Sequence, residues 1–336
     1  MLATWHWHIE ISSKCTLRCP RCARAEVPSS LINTELNLDF FKRNFTLEFI
    51  IANVEKITFC GDDGDPIYAH DLIPVIDYIK SVKPVEIVIV TNGSHKKPEW
   101  WIELGKLLDS NDSVHFSIDG YNNASNNLYR VNSDYDNIIV GLQTLRAASR
   151  CQIVWAAIAF KFNEDHLDYM KYFAGQLGVD RFQLTKSTKF GSVYSGYGPQ
   201  DPLEPSVRFV SSSHRFEREV TVLNNTSSQT AIPLINLKLY NQTQTHNGVK
   251  PLCEIGNKGL YIDARGRLFP CCWVANRYNH NSSWQTLAEQ FNLNTRNLAE
   301  VLADPFWETD FRQFEWQECR TKCIESKVDE NYATAW

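Results

Sequence analysis

Segments with a strand period alternate with segments of helical period through the first half of the chain. The strand-like stretches are residues 4–12, 54–60, 85–91, 113–119, 151–160 and 180–185. Runs rich in Val and Ile, joined by helical crossovers, indicate a parallel sheet that is buried on both faces. Six units are fewer than the eight of a closed barrel. A partial, open barrel and a doubly wound sheet therefore both fit the pattern.

The second half of the chain has a different pattern. Residues 191–252 lose the apolar periodicity and gain Ser, Thr, Asn and Gln, which is typical of an irregular connector. A small α+β unit is predicted at 253–336, with a hairpin that turns at Arg265 and Gly266. We therefore divide the chain into 1–190, 191–252 and 253–336.

Composition limits the class of protein. Of 336 residues, 43% are apolar and 22% are charged, and the net charge is −5. These values fit a water-soluble globular chain and argue against a strongly basic nucleic-acid surface. The start lacks a secretory signal, and no apolar run is long enough to cross a bilayer. We expect a cytoplasmic protein without a membrane partner, so the clustered cysteines among its ten are interpreted as metal or redox ligands.

Three cysteines follow the first predicted strand: Cys15, Cys19 and Cys22, with the spacing C-x3-C-x2-C. A structural zinc site takes four protein ligands, and a distant His or Cys would have to complete it here. Three thiolates can instead hold three irons of a [4Fe–4S] cluster and leave the fourth iron open. The spacing immediately after strand one favours the cluster.

This cysteine pattern resembles that of the radical S-adenosylmethionine (SAM) superfamily. The resemblance covers about residues 5–190 and implies a partial (β/α)6 barrel of the TIM type. It also implies a SAM-bound [4Fe–4S] cluster that receives an electron from an external donor of the flavodoxin or ferredoxin type. Reductive cleavage of SAM then gives a 5′-deoxyadenosyl radical, which takes a hydrogen atom from the substrate.

Other segments that follow predicted strands also resemble this superfamily. Residues 60–66 stand where it has a Gly-rich turn usually ending Gly-Glu-Pro, with Asp65 in place of Glu. Residues 91–94 and 117–120 follow the next two strands. Glycine lets the backbone approach a ligand closely, although an acidic Gly-rich loop is often a plain turn. The resemblance implies SAM contacts from Gly61, Asp62, Asp63, Gly64, Asp65, Pro66, Thr91, Asn92, Ser117 and Asp119.

Two arginines complete the predicted SAM site. Arg130 resembles an arginine near the SAM carboxylate, and its alternative role is a solvated residue beside a helix. Arg21 stands where the superfamily usually has an aromatic residue that packs on adenine. A guanidinium group can also stack on a planar base, so Arg21 is assigned to cofactor binding.

A second group of cysteines lies near the end of the chain: Cys253, Cys271, Cys272, Cys319 and Cys323. The pattern resembles the twitch and SPASM auxiliary-cluster domains of radical SAM enzymes. Five cysteines suffice for one auxiliary [4Fe–4S] cluster with one to spare. Cys271 fits Gly-x4-Cys after Gly266, so the expected ligands are Cys253, Cys271, Cys319 and Cys323. A structural zinc held by the same four cysteines is the alternative.

Cys60 and Cys151 flank predicted strands, and each is expected to be a small buried apolar side chain. Cys60 lies beside the predicted SAM turn, where a thiol could instead donate a hydrogen atom to a substrate radical.

The substrate is predicted from the resemblance. Enzymes with such auxiliary domains act on peptides and proteins, on sugars or on nucleotide precursors, and we favour a peptide or protein. Because Cys15 is so close to the start, we expect no peptide-binding domain ahead of the core, which weakens the case for leader-guided modification. Tyr194, Tyr197, Lys186 and Lys189 are candidate contacts, or simply loop residues. A non-catalytic iron–sulfur or zinc-binding protein is the alternative of another class.

Overall fold

The computed structural model describes residues 5–26, 31–187, 189–191, 201–210, 217–224, 260–275 and 287–307. Cys253, Cys319, Cys323, Tyr194 and Tyr197 lie outside these ranges, so their predicted roles stay predictions.

One nine-stranded sheet organises the described residues, in the order β7-β6-β5-β4-β3-β2-β1-β8-β9. Strands β1 to β6 are parallel and follow the chain order. The predicted parallel sheet is thereby confirmed, and it agrees with a partial barrel. The strands are β1 Trp5–Ile9, β2 Val54–Phe59, β3 Glu86–Thr91, β4 Ser113–Ser117, β5 Gln152–Ile158, β6 Arg181–Lys186, β7 Glu217–Val222, β8 Tyr261–Ile262 and β9 Leu268–Phe269.

Helices connect these strands and cover one face of the sheet. They are α1 Ala23–Glu26, α2 Leu38–Asn44, α3 Leu47–Asn53, α4 Leu72–Val82, α5 Pro98–Leu107, α6 Asn123–Asn126, α7 Tyr135–Ala148, α8 Leu167–Gln176 and α9 Leu298–Leu302. Short 3₁₀ turns occur at Pro66–Tyr68, Val207–Phe209 and Pro305–Trp307. In the described ranges, no helix is both long and apolar enough to cross a membrane.

Large apolar side chains fill the space between the sheet and its helices. Trp7 of β1 packs edge-on against Phe45, with ring centroids 5.2 Å apart. Trp101 of α5 contacts Phe116 of β4 at 5.1 Å. All four side chains are fully buried, and each buried aromatic group of this kind contributes on the order of 2–3 kcal/mol. The outward residues of the strands therefore hold the helices in place.

The opposite, concave face of the sheet carries polar side chains among its apolar ones. Side chains alternate between faces along a strand, so the neighbours of the apolar residues point the other way. His6 and Thr58 bond to each other there at 2.7 Å. Lys56 pairs with Glu86 at 2.7 Å. We call this surface the concave face; besides those four it carries His8, Ser113, His115, Ser117, Arg181, Gln183, Thr185 and Arg218.

Both ends of the parallel region are extended by strands from later in the chain. β7 pairs antiparallel with β6. β8 runs parallel to β1, with Tyr261 beside His8, and β9 returns antiparallel beside β8. The predicted turn contains Gly266 at φ +80°, a conformation that favours glycine. The β8–β9 hairpin therefore continues the main sheet rather than standing apart from it.

Candidate active site at the carboxyl edge of the sheet

The loop after β1 brings the three cysteines of the C-x3-C-x2-C pattern into one small cluster. Cys19 is buried, whereas Cys15 and Cys22 are half-buried. They pack with Leu17, Tyr129, Phe160 and Leu203, apart from the main core. Among the described residues, no further cysteine belongs to this cluster. Parallel barrels carry their catalytic residues at the carboxyl ends of the strands, and the three thiols lie at this edge.

The surroundings of the three thiols disfavour their charged form. Burial raises the pKa of Cys15 to about 12 and that of Cys22 to about 11. Burial also raises the pKa of Cys19, although the nearby Arg130 opposes the rise. Thiolates at these positions therefore need a strong positive partner, which bound metal supplies when ligands lose their protons.

Asp65 ties two strand ends together, those of β2 and β3. Its carboxylate accepts from the Thr91 hydroxyl at 2.7 Å and from the Asn92 backbone N–H at 2.6 Å. It also accepts from the Asn92 side-chain amide at 2.5 Å and from the Ile67 N–H at 3.1 Å. Burial raises the pKa of Asp65, and these hydrogen bonds oppose the rise. The same Asn92 amide lies 3.7 Å from the sulfur of Cys15. Asp65 therefore sets the position of a group that faces the cysteine cluster.

The turn at 60–66 presses closely on the chain that follows β1. A side chain at Gly64 would overlap the Ser12 carbonyl oxygen, and one at Gly61 would come within 2.6 Å of Glu10 Oε1. Pro66 is buried and begins the 3₁₀ turn. Arg24, from the cysteine loop, donates to the carbonyl oxygens of Ser13 and Asp63. The turn and the cysteine loop are thus held as one unit.

Asp119 and Arg130 form a buried pair on the other side of the cysteines. Arg130 Nε donates to Asp119 Oδ2 at 2.6 Å, and Asp119 Oδ1 accepts from the Ile158 N–H at 2.6 Å. Arg130 is close enough to Cys19 to lower the pKa of its thiol by charge and hydrogen bonding. Ser117 lies half-buried at the end of β4. Asp119 therefore orients Arg130 towards the cysteines and has little free capacity for a ligand.

Arg21 is engaged within the protein. Its guanidinium forms an ion pair with Asp201, and both side chains are nearly fully buried. It also donates to the Lys189 carbonyl oxygen at 2.8 Å, and it lies over the Phe190 ring at 5.8 Å. In this conformation the guanidinium packs on Phe190. The predicted stacking on adenine stays a prediction.

Cys60 and Asp62 face the junction of β1, β2 and β8. His8 Nε2 donates to the Cys60 carbonyl oxygen at 2.8 Å. Burial raises the pKa of the Cys60 thiol, and the nearby Asp62 and Asp65 raise it further. Burial also raises the pKa of Asp62 to about 7, aided by Asp63 and opposed by Lys189. Cys60 is therefore a protonated thiol at neutral pH, as hydrogen-atom donation requires.

Of the second cysteine group, the structure describes Cys271 and Cys272. Cys272 is 2% exposed and Cys271 is half-buried. Burial raises the pKa of Cys272, with Asp62, Cys271 and Cys60 adding to the rise. The two cysteines thus lie on the side of the sheet that carries the turn at 60–66. Lys186, a predicted substrate contact, pairs with Glu219 at 2.6 Å.

Sequence reasoning missed Glu10 and Tyr261. Glu10 is 3% exposed, and its Oε1 accepts from the N–H groups of Asp63 and Gly64 at 2.6 and 2.9 Å. Its Oε2 accepts from the Tyr261 hydroxyl at 3.0 Å. Burial raises the pKa of Glu10 well above the usual value, and Asp63 and Asp62 add to the rise. The available signal was the alternation of His6, His8 and Glu10, which places the Glu10 carboxylate on the same face of the sheet as the two histidines.

The sheet, its polar carboxyl edge and its three clustered thiols are consistent with the partial barrel of a radical SAM domain. Residues 9–171 match the radical SAM superfamily. This match covers just under half of the chain, and that stretch is similar to a radical SAM domain.

Solved structures of SuiB from Streptococcus suis have a similar fold. SuiB alone matches with a TM-score of 0.60 at 14% identity, over 95% of this chain and 70% of that one. SuiB bound to its precursor peptide SuiA gives 0.59 at 15% identity, over 96% and 70%. SuiB bound to S-adenosylmethionine gives 0.55 at 13% identity, over 88% and 68%. At these identities the likeness concerns the fold. No curated protein matches the chain.

The cysteine cluster fits the iron–sulfur group that a radical SAM domain implies. The donor set is three thiols in a largely apolar pocket, with an amide and a guanidinium directed at them. Within the described ranges, no three Cys, His, Asp or Glu side chains are arranged to hold a single metal ion. A cubane differs from a single ion because each thiolate binds a different iron. The corresponding test of the second group requires Cys253, Cys319 and Cys323, which lie outside the described residues.

Proposed function

We propose that this protein is a radical SAM enzyme that modifies a peptide or protein substrate. The observation that carries the proposal is the convergence of the three thiols of Cys15, Cys19 and Cys22 with polar groups from four further strand ends. Those groups come from the turn at 60–66, from Thr91 and Asn92, from Asp119 with Arg130, and from Ile158.

In this proposal the three cysteines hold a [4Fe–4S] cluster, which together with SAM supplies a 5′-deoxyadenosyl radical. The side chains around it have separate tasks. Asn92, fixed by Asp65, lies against the sulfur of Cys15. Arg130, fixed by Asp119, offers its charge to the SAM carboxylate. The half-buried backbone of Gly61 and Asp62 receives the polar end of SAM, since the N–H groups of Asp63 and Gly64 already donate to Glu10. Burial of the pocket excludes water from a reactive radical.

We further propose an auxiliary [4Fe–4S] cluster at Cys253, Cys271, Cys319 and Cys323, which would give redox capacity for substrate oxidation or bond formation. An external one-electron donor of the flavodoxin or ferredoxin type is the proposed partner, and the cytoplasm is the proposed location. A peptide substrate is supported by fold alone, since SuiB has been crystallised with its precursor peptide SuiA. The polar concave face also offers hydrogen-bonding groups to a peptide backbone.

The decisive experiment is anaerobic incubation of the reconstituted protein with SAM and dithionite. We expect 5′-deoxyadenosine, even without substrate, because reductive cleavage needs only the cluster, SAM and an electron. Cys19→Ala should abolish this product, whereas the matched control Cys151→Ala should retain it. Cys151 is a fully buried cysteine outside the cysteine cluster. Absence of 5′-deoxyadenosine from the wild type, with iron bound, would leave a non-catalytic iron–sulfur protein.

Iron and sulfide analysis tests the second cluster separately. More than about six irons per chain supports two cubanes, and about four supports one. Cys19→Ala should lose the first cluster and keep the second. Loss of all iron from Cys19→Ala would show that the cysteines are divided wrongly between the two sites. Zinc in place of iron at the second cysteine group would identify a structural metal site there instead of an auxiliary cluster.

A further inference from the structure

The segment after β6 brings an aromatic side chain to the cysteine loop. Phe190 is half-buried and packs with Cys15, Cys22 and the apolar residues around them, apart from the main core. It follows the last parallel strand, whereas the turn at 60–66 follows β2. The backbone of that turn also reaches the cluster, since the Asp62 carbonyl oxygen lies 3.9 Å from the Cys22 sulfur. Residues from both sides of the parallel sheet therefore meet at the three thiols.

Arg21 fixes this segment to the cysteine loop. Its guanidinium pairs with Asp201 and donates to the Lys189 carbonyl oxygen at 2.8 Å. Asp201 also accepts from the Gly191 backbone N–H at 3.0 Å. The residues before and after Phe190 are thus both bonded to one buried ion pair, which sets the position of the backbone that carries the ring.

Arg21 and Phe190 differ in what they can offer to a ligand. The Arg21 side chain is 3% exposed, and its guanidinium lies over the Phe190 ring, with Cζ 5.8 Å from the ring centroid. The planar face of the guanidinium is therefore closed to a ligand while the pair with Asp201 is formed. Phe190 is only half-buried, so part of its ring surface is accessible. Of the two side chains, Phe190 is the one on which a planar group can stack.

Phe190 belongs to a group of aromatic rings beside the thiols. Phe160 contacts Phe190 edge-to-face, with ring centroids 6.0 Å apart and ring planes at 89°. Tyr129 and Phe162 lie against the same Phe160 ring, with centroid distances of 4.3 and 5.3 Å. Phe160 and Tyr129 are buried. The contact with a buried ring sets the plane of Phe190, so the orientation of Phe190 is established before a ligand arrives.

We propose that Phe190, rather than Arg21, stacks on the adenine ring of SAM. This inference rests on the proposed function, because it concerns how the same site holds SAM. If the three cysteines hold the cluster that binds SAM, the side chains that pack with them border the rest of the SAM molecule. Stacking of a base on an aromatic side chain changes affinity by roughly 5- to 150-fold. Arg21 then acts on SAM indirectly, through the placement of Phe190.

Equilibrium binding of SAM without reductant tests this role. The reconstituted protein is titrated anaerobically with SAM by calorimetry, so that binding is measured without cleavage. Phe190→Leu should weaken SAM binding at least about fivefold, because leucine keeps an apolar side chain but lacks the ring. Phe190→Tyr keeps the ring and should bind SAM as the wild type does. Both variants should retain the iron content of the wild type.

The matched control is Phe209→Leu. Phe209 is also half-buried beside an arginine, with Arg208 Cζ 4.6 Å from its ring centroid. It packs with the main core instead of the cysteine cluster. Phe209→Leu should therefore keep the wild-type affinity for SAM, which separates an effect at the cysteine cluster from a general effect of losing a ring.

The remaining outcomes are also decisive. Unchanged SAM affinity in Phe190→Leu would overturn the proposal, and so would equal losses in Phe190→Leu and Phe190→Tyr, since the ring itself would then not matter. Loss of iron from Phe190→Leu would overturn it as well, because Phe190 would then support the cysteine loop rather than SAM. A wild type that holds iron but does not bind SAM would instead count against the proposed function.

Discussion

At the scale of single residues, Asp65 shows how a substitution within a pattern is accommodated. The radical SAM superfamily usually has Glu at this position. The shorter Asp65 side chain accepts hydrogen bonds from four donors, which belong to Ile67, Thr91 and Asn92. The carboxylate is therefore fully used inside the protein. In the proposed SAM site its contribution would be indirect, through the placement of Asn92.

Asp65→Asn should destabilise the protein by about 1–3 kcal/mol, because the new amide NH₂ group faces donors and leaves one unsatisfied. The measurement is urea unfolding of the variant beside Asp77→Asn, which changes an exposed carboxylate on α4. The control should lie within about 0.5 kcal/mol of the wild type. Equal stability of the two variants would contradict the role of Asp65 at the strand ends.

His8 makes stability depend on pH. Burial lowers its pKa from 6.5 to about 4, although its hydrogen bond to the Cys60 carbonyl opposes this. The folded state therefore holds His8 neutral. Its stabilising contribution is complete above pH 6.5 and is lost as the pH falls towards 4, by about 3 kcal/mol across that window.

His8→Gln should flatten the fall in melting temperature between pH 6.5 and pH 4, because glutamine can keep an N–H donor and does not titrate. A series of thermal melts at fixed ionic strength measures this. His70→Gln is the control, since the His70 side chain is exposed. Parallel curves for the wild type and His8→Gln would show that other groups cause the acid sensitivity.

At the scale of elements, the β8–β9 hairpin is connected to the turn at 60–66 through Glu10. Tyr261 of β8 is 2% exposed, and its hydroxyl donates to Glu10, which accepts from Asp63 and Gly64. A C-terminal element thereby helps to position the turn at 60–66. This connection makes the hairpin part of the candidate active site.

Tyr261→Phe should destabilise the protein by about 1–3 kcal/mol, because it leaves a buried carboxyl oxygen without its donor. The same change should accelerate amide hydrogen exchange at Asp63 and Gly64, which is the readout specific to the turn. Tyr172→Phe, at a side chain that is 66% exposed, serves as the control. Loss of stability without faster exchange at the turn would mean that Tyr261 supports only the hairpin.

The sequence predicts most elements of the barrel, because long periodic segments carry their own signal. α7, for example, spans Tyr135–Ala148, a stretch with apolar residues at helical spacing. Apolar residues recur at helical spacing through 38–53, but this stretch is divided into α2 and α3, because Thr46 caps the second helix by accepting from the Phe49 N–H. The apolar spacing continues across that break, so periodicity alone could not reveal it.

At the scale of the whole molecule, long-range pairing limits what sequence reasoning reaches. The cysteine loop and the strand ends were predictable, since parallel strands bring their carboxyl ends to one edge. The pairing of β8 with β1 and of Arg21 with Asp201 joins residues far apart in the chain. No local pattern encodes such pairs. The alternation in β1 indicated polar residues on the concave face, but the sequences of the Val-rich strands did not indicate them.

The parallel pairing of β8 with β1 also affects how the chain folds during its synthesis on the ribosome. Tyr261 and Glu10 are 251 positions apart, so synthesis of the intervening chain takes roughly 10–50 s at ordinary rates of translation. During that time β2 can already pair with β1, while the other edge of β1 stays open. An open strand edge is a template for association with other chains. The nascent chain is therefore open to association at this edge of β1 until β8 has been synthesised.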